Sequence, residues 1–396
     1  MADYFARTEE QEAILETVRK FSAEVVAPVM AELDSQKDPA DGFSWKIVEA
    51  ADRLGIRTMT LSEEWGGLGL DSLTTAMVIE ELGKTDLGIS VVFAQTLKLA
   101  QTLQAATNDD QKARFIPVFR DDPHCVLAIG ITEPETASNY LIPYNSPDAP
   151  FRTTAVKTDR GWVLNGMKHF ISNGNVAGLY LVFAQTEKGK GLADGATCFL
   201  LKKDTPGFTI GRVHDKMGER LANNAELIFQ DCFIPDADVV GEVGKGFDTL
   251  VQFFPASNAY AAASVLGVAV HAYSRAMDWA RNRVQGGKRL VEHDGIAHDL
   301  AEMHMLIEAA RAYIHKAAWM ADHRGEGKWE PTFGALPKVF ASQTAWKIVT
   351  RALEIHGGSG YMRETGMEKL VRDAAAFLHS DGVNRTLLLK AAKFII

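Results

Sequence analysis

Three groups near the C-terminus could do chemistry together. Glu354-Ile-His-Gly-Gly-Ser-Gly-Tyr-Met362 is a glycine-rich bend, Glu368-Lys-Leu-Val-Arg-Asp373 ends on an Arg-Asp pair, and Ser380-Asp-Gly-Val383 sets a carboxylate beside a glycine. Glycines let a backbone approach a ligand closely. A carboxylate on a short turn just after a helix is well placed to abstract a proton, so Asp381 is the candidate base. Elsewhere the residues read more plainly. Thr132-Glu-Pro134 is an ordinary turn, and Asn165-Gly166 is a two-residue hairpin signal. Arg281-Asn-Arg283 reads as a solvated helix end, and Arg372-Asp373 as structural.

The elements that must position these groups follow from periodicity. Residues 1 to about 122 read as helix. Thr8-Glu-Glu-Gln11 is a capping box, and Ile14, Val18, Phe21 and Val25 then mark one buried face. Trp45 to Leu54 is a second helix, ended by Gly55, and Asp71 or Ser72 caps a third after the glycine-rich 65–70 loop. Asn108 opens another, with acidic residues in its first turn as the helix dipole favours. From 123 to 238 short apolar runs separated by Gly, Pro, Asn and Asp predict hairpins rather than βαβ units. From Gly246 the helical period returns, over 246–281, 297–323 and 337–356, with short connections that suggest an antiparallel bundle.

Composition bounds the function. The chain has 396 residues, 46% hydrophobic and 23% charged, enough for two or three domains of a soluble protein. A net charge of −9 argues against a nucleic-acid partner. Cys125, Cys198 and Cys232 are too few and too widely spaced for a disulfide framework or a metal site, so core thiols in a reducing, cytoplasmic setting are expected and no metal. The first residues do not resemble a signal or transit peptide, and no apolar run is long enough to span a membrane. No G-x-G-x-x-G after a strand and no Walker pattern appears.

Five separated motifs together resemble the acyl-CoA dehydrogenase family over essentially the whole chain. Ile131-Thr-Glu-Pro-Glu-Thr-Ala-Ser-Asn139 is similar to the family's T-E-P-x-x-G-S-D, with Ala137 for Gly and Asn139 for Asp. Phe170-Ile-Ser172 matches an aromatic and a hydroxyl that meet the flavin on a strand returning from the hairpin. The segments 216–220, 229–235 and 241–247 close the β-domain. Arg281 to Gly295 resembles R-x-x-F-G-x-x-[IL]-x-x-x-Q, with Gly286 for Phe, and Glu354-Ile-His-Gly-Gly358 stands for Q-x-x-G-G. The resemblance implies an α+β multidomain fold: an N-terminal helical domain at 1–122, a middle antiparallel β-barrel-like domain at 123–238 and a C-terminal four-helix bundle at 239–396.

It also implies FAD, held without a Rossmann motif. Its contacts would come from Ile129, Ile131, Thr132, Ser138, Phe170, Ile171, Ser172, Val383 and Arg385. A neighbouring subunit would add Arg283, Gln285, Glu354, Ile355, Gly357 and Gly358, so a homo-oligomer, commonly a tetramer, is expected. Ser138, Ser257, Asn258 and Gly382 fall at substrate positions. The implied reaction is α,β-desaturation of an acyl-CoA thioester, with electron-transfer flavoprotein as the family's default acceptor. Most members use Glu followed by Gly-Thr as base. Here Asp381 falls at that register, one carbon shorter, followed by Gly382 and Val383. The alternative base position on the long helix carries Ala256 and Ser257, and Asn258 replaces a common Arg. Nitroalkane oxidases look similar and use Asp at this place, although Leu388 stands where their supporting Arg is expected. Oxidation of another carbon acid, and a flavin protein that does not dehydrogenate, therefore stay open.

Overall fold

A computed structural model describes residues 6–138, 145–324 and 332–396, with backbone alone at 251–255; Asn139 lies outside the described residues. The first part of the chain is helical: α1 Glu9–Phe21, α2 Met30–Asp34, α3 Trp45–Arg53, α4 Ser72–Thr85, α5 Leu87–Ala106 and α6 Asp109–Asp121. The expected capping boxes form at Thr8 and Asn108, and Asp71, rather than Ser72, caps α4. Each such cap is worth about 1 kcal/mol. Helix α5 is different in kind, because it is buried on nearly every side, and Lys98 is the only charged residue in its twenty. A helix apolar all round belongs inside the protein.

The middle part is a sheet of β1 Val126–Gly130, β2 Thr154–Thr158, β3 Gly161–Ser172, β4 Ala177–Gln185, β5 Ala196–Lys202, β6 Phe208–Val213, β7 Asn224–Pro235 and β8 Val239–Val240, with a short helix α7 Leu192–Gly195. The order is β6-β7-β3-β2-β4-β5-β8, with β1 on β4. Two expectations are corrected here. The sheet is mixed and open rather than an antiparallel barrel, because β1 runs parallel to β4 and the two halves meet through one parallel pair, Thr154↔Gln185. Long-range parallel pairing leaves no local turn signal, which is why the hairpin pattern missed it.

The second correction concerns Asn165-Gly166, which is not a turn. The β2–β3 turn lies at Asp159-Arg160, beside the pair Thr158↔Gly161. Asn165-Gly166 is instead a bulge inside β3, where the register with β7 shifts. Gly166 adopts φ +140 and lies so near Thr153 that a Cβ would sit 2.5 Å from the Thr153 Cα. The Asn165 side chain donates to Asp231 Oδ1 at 3.1 Å and accepts from the Asp231 N–H at 2.9 Å. Phe170 to Ser172 do lie on a returning strand, β3 of the β2–β3 hairpin, but downstream of the bulge rather than of an Asn165-Gly166 turn.

The last part is α8 Gly246–Asn282, a hairpin of β9 Val284–Gln285 and β10 Lys288–Arg289, α9 Asp294–Asp322, α10 Thr332–His356, α11 Gly358–Tyr361, α12 Met367–Ala376 and α13 Asn384–Ile395. The connection between α8 and α9 is thus a small hairpin of its own. Helix α10 is described from Thr332, with the expected start, Pro337, inside it. With 37 residues, α8 is about 55 Å long. It crosses α4 at two glycines: a Cβ on Gly83 would meet the Ser264 carbonyl at 2.4 Å, and one on Gly267 the Glu80 carbonyl at 2.4 Å.

Among the described residues three large cores hold these parts together, beside a small cluster of Ala335, Val339 and Leu387. One joins α1, α3 and α4 to one sheet face through Leu15, Phe21, Val78, Leu164, Tyr180 and Leu227. Another joins α5 and α6 to the opposite face through Leu103, Phe115, Phe119, Leu181 and Phe183. The third is the helical bundle, rich in alanine along α8. All three cysteines are buried and free, and burial pushes the Cys125 and Cys232 thiols up to about 12. Among the described residues no helix is long and apolar enough to cross a membrane.

Candidate active site

Where β1 and β3 meet α5, α8 and the segment after α12, a cavity of about 910 Å³ opens. It brings together Ile129, Ile131, Thr132, Ser138, Phe170, Ile171, Ser172, Ser257, Asn258, Asp381, Gly382 and Val383, residues spread over more than 250 positions of the chain. The other expected contacts lie away from it. Arg283 caps the end of α8 against Trp279, and Gln285 lines a separate shallow cavity with His293 and Asp299. Glu354 pairs with Arg351 at 2.8 Å, and Ile355 belongs to the bundle core. Gly357 takes φ +60 ahead of α11, which starts at Gly358, and Arg385 is exposed on α13.

One wall is built on the end of β1. The Glu133 carboxylate accepts the N–H groups of Arg152 and Thr153 at 2.6 and 3.0 Å, and the fully buried Lys168 ammonium at 2.7 Å. Lys168 also donates to the Ile131 carbonyl at 3.1 Å and lies 3.8 Å from the Phe151 ring centroid. Burial pushes the Lys168 ammonium down to about 8, against the attraction of Glu133. The Thr132 carbonyl accepts the His169 N–H at 2.8 Å. These bonds aim the next residues of β3 into the cavity. Phe170 is held at φ +59 with 60% of its surface exposed. Non-glycine residues are rare in that region and costly to hold there. Asn224 braces the same strand, donating to the Phe170 carbonyl at 3.1 Å and to Ser172 Oγ at 3.2 Å.

The opposite wall carries the carboxylate. Asp381 takes φ +49 and Gly382 φ +101, on the turn between α12 and α13. Beneath this turn the fully buried Lys338 of α10 donates to the carbonyls of Phe377 and Gly382 at 2.8 and 2.7 Å, and to Asn384 Oδ1 at 3.0 Å. Burial pushes its ammonium down to about 7, against the attraction of Asp381. Ser138 Oγ accepts the Val383 N–H at 3.0 Å, which ties the two walls together. The Asp381 carboxylate, one-third exposed, lies 3.3 and 3.4 Å from the Lys98 ammonium, and Lys98 also donates to Ser257 Oγ at 3.1 Å.

Helix α12 is fixed from behind. Lys369 reaches Asp86 and Asp373 at 2.6 Å each, and Asp373 accepts the Glu219 N–H at 2.7 Å. Arg372 pairs with Asp34 at 2.7 Å and donates to the Met217 carbonyl at 2.8 Å. Sequence reasoning missed Lys98, Lys168 and Lys338. Each had a readable signal: a lone cation inside an otherwise apolar stretch.

Among the described residues one group has metal-ligand geometry, His169, His214 and Glu226 at the cavity mouth; burial lowers the basicity of His214, and His169 beside it does too.

The geometry has relatives. Residues 8–121 match the family model for the acyl-CoA dehydrogenase N-terminal domain, 128–232 the middle domain and 244–396 the C-terminal domain. The chain is 34% identical to the short-chain specific acyl-CoA dehydrogenase of Megasphaera elsdenii, over 97% of each chain. It is 33% identical to the cyclohex-1-ene-1-carbonyl-CoA dehydrogenase of Syntrophus aciditrophicus, over 96% of this chain and 88% of that one. The solved butyryl-CoA dehydrogenase from Megasphaera elsdenii superposes with a TM-score of 0.90 at 33% identity, covering 99% of each chain. The chain belongs to the acyl-CoA dehydrogenase family of oxidoreductases.

Proposed function

We propose that this protein is an FAD-dependent dehydrogenase that removes the α- and β-hydrogens of an acyl-CoA thioester, with Asp381 as the base. The observation that carries the reading is the carboxylate of Asp381, presented on a left-handed turn across one cavity from the exposed ring of Phe170 and the hydroxyl of Ser172. The donor set fits a flavin. The Phe170 ring meets those of His169 and His214, with centroids 3.9 and 4.7 Å apart, yet stays 60% exposed on a strained backbone, which leaves aromatic surface for a flat ring to cover. Ile129, Ile131 and Ile171 supply apolar surface around it, and Thr132, Ser138, Ser172 and the Val383 backbone supply polar groups. When bound, FAD accepts the β-hydrogen as hydride at its N5 atom.

The chain's own residues do the rest. Ser257, Asn258 and Gly382 bind the thioester arm, together with Ser138. The N–H of Asp381 polarises the thioester carbonyl, so negative charge developing at the α-carbon is stabilised. The Asp381 carboxylate then takes the α-proton, and closure of the cavity over the substrate excludes water from the base. Arg283, Gln285, Glu354, Gly357 and Gly358 lie apart from the cavity, as expected if they serve a neighbour's FAD in a homotetramer; Ile355 packs behind them and Arg385 is the remaining flavin contact. Electron-transfer flavoprotein is the proposed acceptor and the cytoplasm the proposed compartment, in keeping with three free thiols.

Anaerobic titration of the FAD-loaded enzyme with straight-chain, branched and cyclic acyl-CoA thioesters tests the reading. At least one should bleach the flavin. Asp381→Asn should keep FAD while the bleaching rate falls about 10²- to 10⁴-fold, the range general-base catalysis supplies. A panel that leaves the flavin oxidised refutes the proposal, and oxygen uptake with a small nitroalkane would favour the carbon-acid oxidase instead. An Asp381→Asn variant that bleaches at the parent rate removes Asp381 from the role.

A further inference from the structure

We propose that His169, His214 and Glu226 form a binding site for a divalent transition metal, Zn²⁺ above all, at the mouth of the cavity. The site stands whichever substrate the cavity takes. One nitrogen from each imidazole and one Glu226 oxygen lie within 4.8 Å of one another. Strands position all three. His169 lies in β3 and Glu226 in β7, and His214 directly follows β6. The register shift between Lys168↔Leu227 and Ile171↔Ala225 sets His169 and Phe170 together opposite Glu226. A bulge of this kind re-aims side chains that regular alternation would send to opposite faces. The backbone is pinned on both sides: the His214 N–H donates to the Asn224 carbonyl at 2.8 Å, as the His169 N–H does to that of Thr132.

Two simpler readings fall short. The first is an imidazolium–carboxylate pair. His169 Nε2 stands 3.5 Å from Glu226 Oε1, whereas a charge-assisted hydrogen bond closes to about 2.7–2.9 Å. Two ligands of one tetrahedral ion, each about 2.0–2.1 Å from the metal, stand about 3.3–3.4 Å apart, so the gap suits a shared ion better. The second is ring packing. The two imidazole centroids are 4.6 Å apart, and both rings pack on Phe170. That accounts for the rings and not for their polar atoms. His169 Nδ1 and His214 Nε2 are buried with no hydrogen-bond partner among the described residues. Such atoms are costly, and an ion is one of the few things that accounts for them. An imidazole ligates through either nitrogen, and rotation of the rings draws the three groups together.

The donor set selects the metal. Two imidazoles and a carboxylate suit zinc and its neighbours, whereas Mg²⁺ and Ca²⁺ prefer oxygen shells. Local charge sharpens the choice. Arg212 and Lys216 both act on His214 as repelling cations, so an ion held by charge alone is opposed, and nitrogen bonding must supply the affinity. Glu226 is oriented from outside: its Oε2 accepts the Arg212 N–H at 3.1 Å, with Oε1 turned toward His169. Outer bonds of this kind aim a metal ligand. Three protein ligands leave a position open to water or to a group entering the cavity.

The test titrates the FAD-loaded full chain, freed of metal by EDTA and dialysis, with zinc chloride in a calorimeter, beside magnesium and calcium chloride. One Zn²⁺ per chain should bind at micromolar metal, and Mg²⁺ and Ca²⁺ far more weakly. Saturating Zn²⁺ should also raise the melting temperature, as any ligand of the folded state does. His214→Ala and Glu226→Gln should each weaken Zn²⁺ by about 100-fold or more, beyond the roughly 10- to 100-fold that loss of an outer partner costs, and should abolish the zinc-dependent rise in melting temperature. A plain ion pair between His169 and Glu226 would lower the metal-free stability of Glu226→Gln and leave no zinc effect in the parent. Zinc bound no more tightly than magnesium overturns the inference. Parent affinity for Zn²⁺ in either variant also overturns it, because the ion then sits elsewhere. If one variant does not fold, the other and His169→Gln make the same comparison.

Discussion

Lys338→Met tests whether the turn that carries Asp381 is held by one buried ammonium. The substitution keeps an unbranched side chain, one atom shorter, and removes three hydrogen bonds. Asn384 Oδ1 retains a donor, because Ser342 Oγ lies 3.1 Å away. The carbonyls of Phe377 and Gly382 lose theirs, and each buried acceptor left unpaired costs about 1–3 kcal/mol, so about 2–6 in all. An opposing effect comes from the charge. Burial holds this ammonium at about 7, against about 10.4 in an unfolded chain. Below pH 7 both states are protonated and the folded one bears the full cost of the buried charge, about 4–5 kcal/mol. Between about 7 and 10.4 the unfolded chain holds more protons, so the lysine's contribution to stability rises with pH. It is complete above about 10.4 and lost as pH falls through about 7.

The two effects are of similar size near neutrality. The melting temperature of Lys338→Met at pH 7 should therefore move by only a few degrees, corresponding to about 1 kcal/mol. The turn is nevertheless freed at both ends, and a misplacement of about 1 Å in a reacting group costs on the order of 10²-fold in rate. The assay is anaerobic flavin bleaching beside denaturant unfolding from pH 7 to 9. Expected are a rate loss of that order with flavin retained, and a stability difference, parent minus variant, that climbs with pH by up to about 1.4 kcal/mol per unit. An unchanged bleaching rate, or a stability difference that falls with pH, refutes the reasoning.

Two further outcomes follow from the opposite wall. Lys168→Met leaves the Glu133 carboxylate buried beside two N–H donors and no cation, so unfolding free energy should drop by about 3–5 kcal/mol, and adding Glu133→Gln should recover part of it; equal losses in the single and double variants would contradict the pairing. Phe170→Ala removes a ring that is mostly solvent-exposed, so the FAD-free protein should melt as before while FAD binding, followed by flavin fluorescence, weakens roughly 3- to 10-fold; an unaltered affinity would place the flavin elsewhere.

The helices were the readable part of the chain. Capping residues Thr8, Asp71 and Asn108 act within four residues of themselves, so their signals survive in a single sequence. Asp381 was readable for a similar reason: its turn is local, lying between α12 and α13. What holds it was not. Lys338 is 43 positions away and Lys98 is 283, and a lone cation in an apolar stretch signals burial without saying which distant group it meets. The sheet failed in the same manner. Asn165-Gly166 has the chemistry of a turn, and only the approach of Thr153 and Asp231 from other strands makes it a bulge. The parallel pairing of β1 with β4 joins segments about 50 residues apart, which no local pattern announces.

That bulge also governs how the protein ages. In a flexible chain an Asn-Gly step loses ammonia readily, because the glycine nitrogen can swing onto the neighbouring carboxamide carbon. Here Asp231 grips both ends of the Asn165 amide, and Thr153 wedges the Gly166 backbone in place. The folded state thus shields a labile step of its own, and damage at this position records time spent unfolded. Once Asn165→Asp conversion occurs, a new carboxylate faces that of Asp231, and the grip that protected the strand becomes a repulsion just upstream of Phe170.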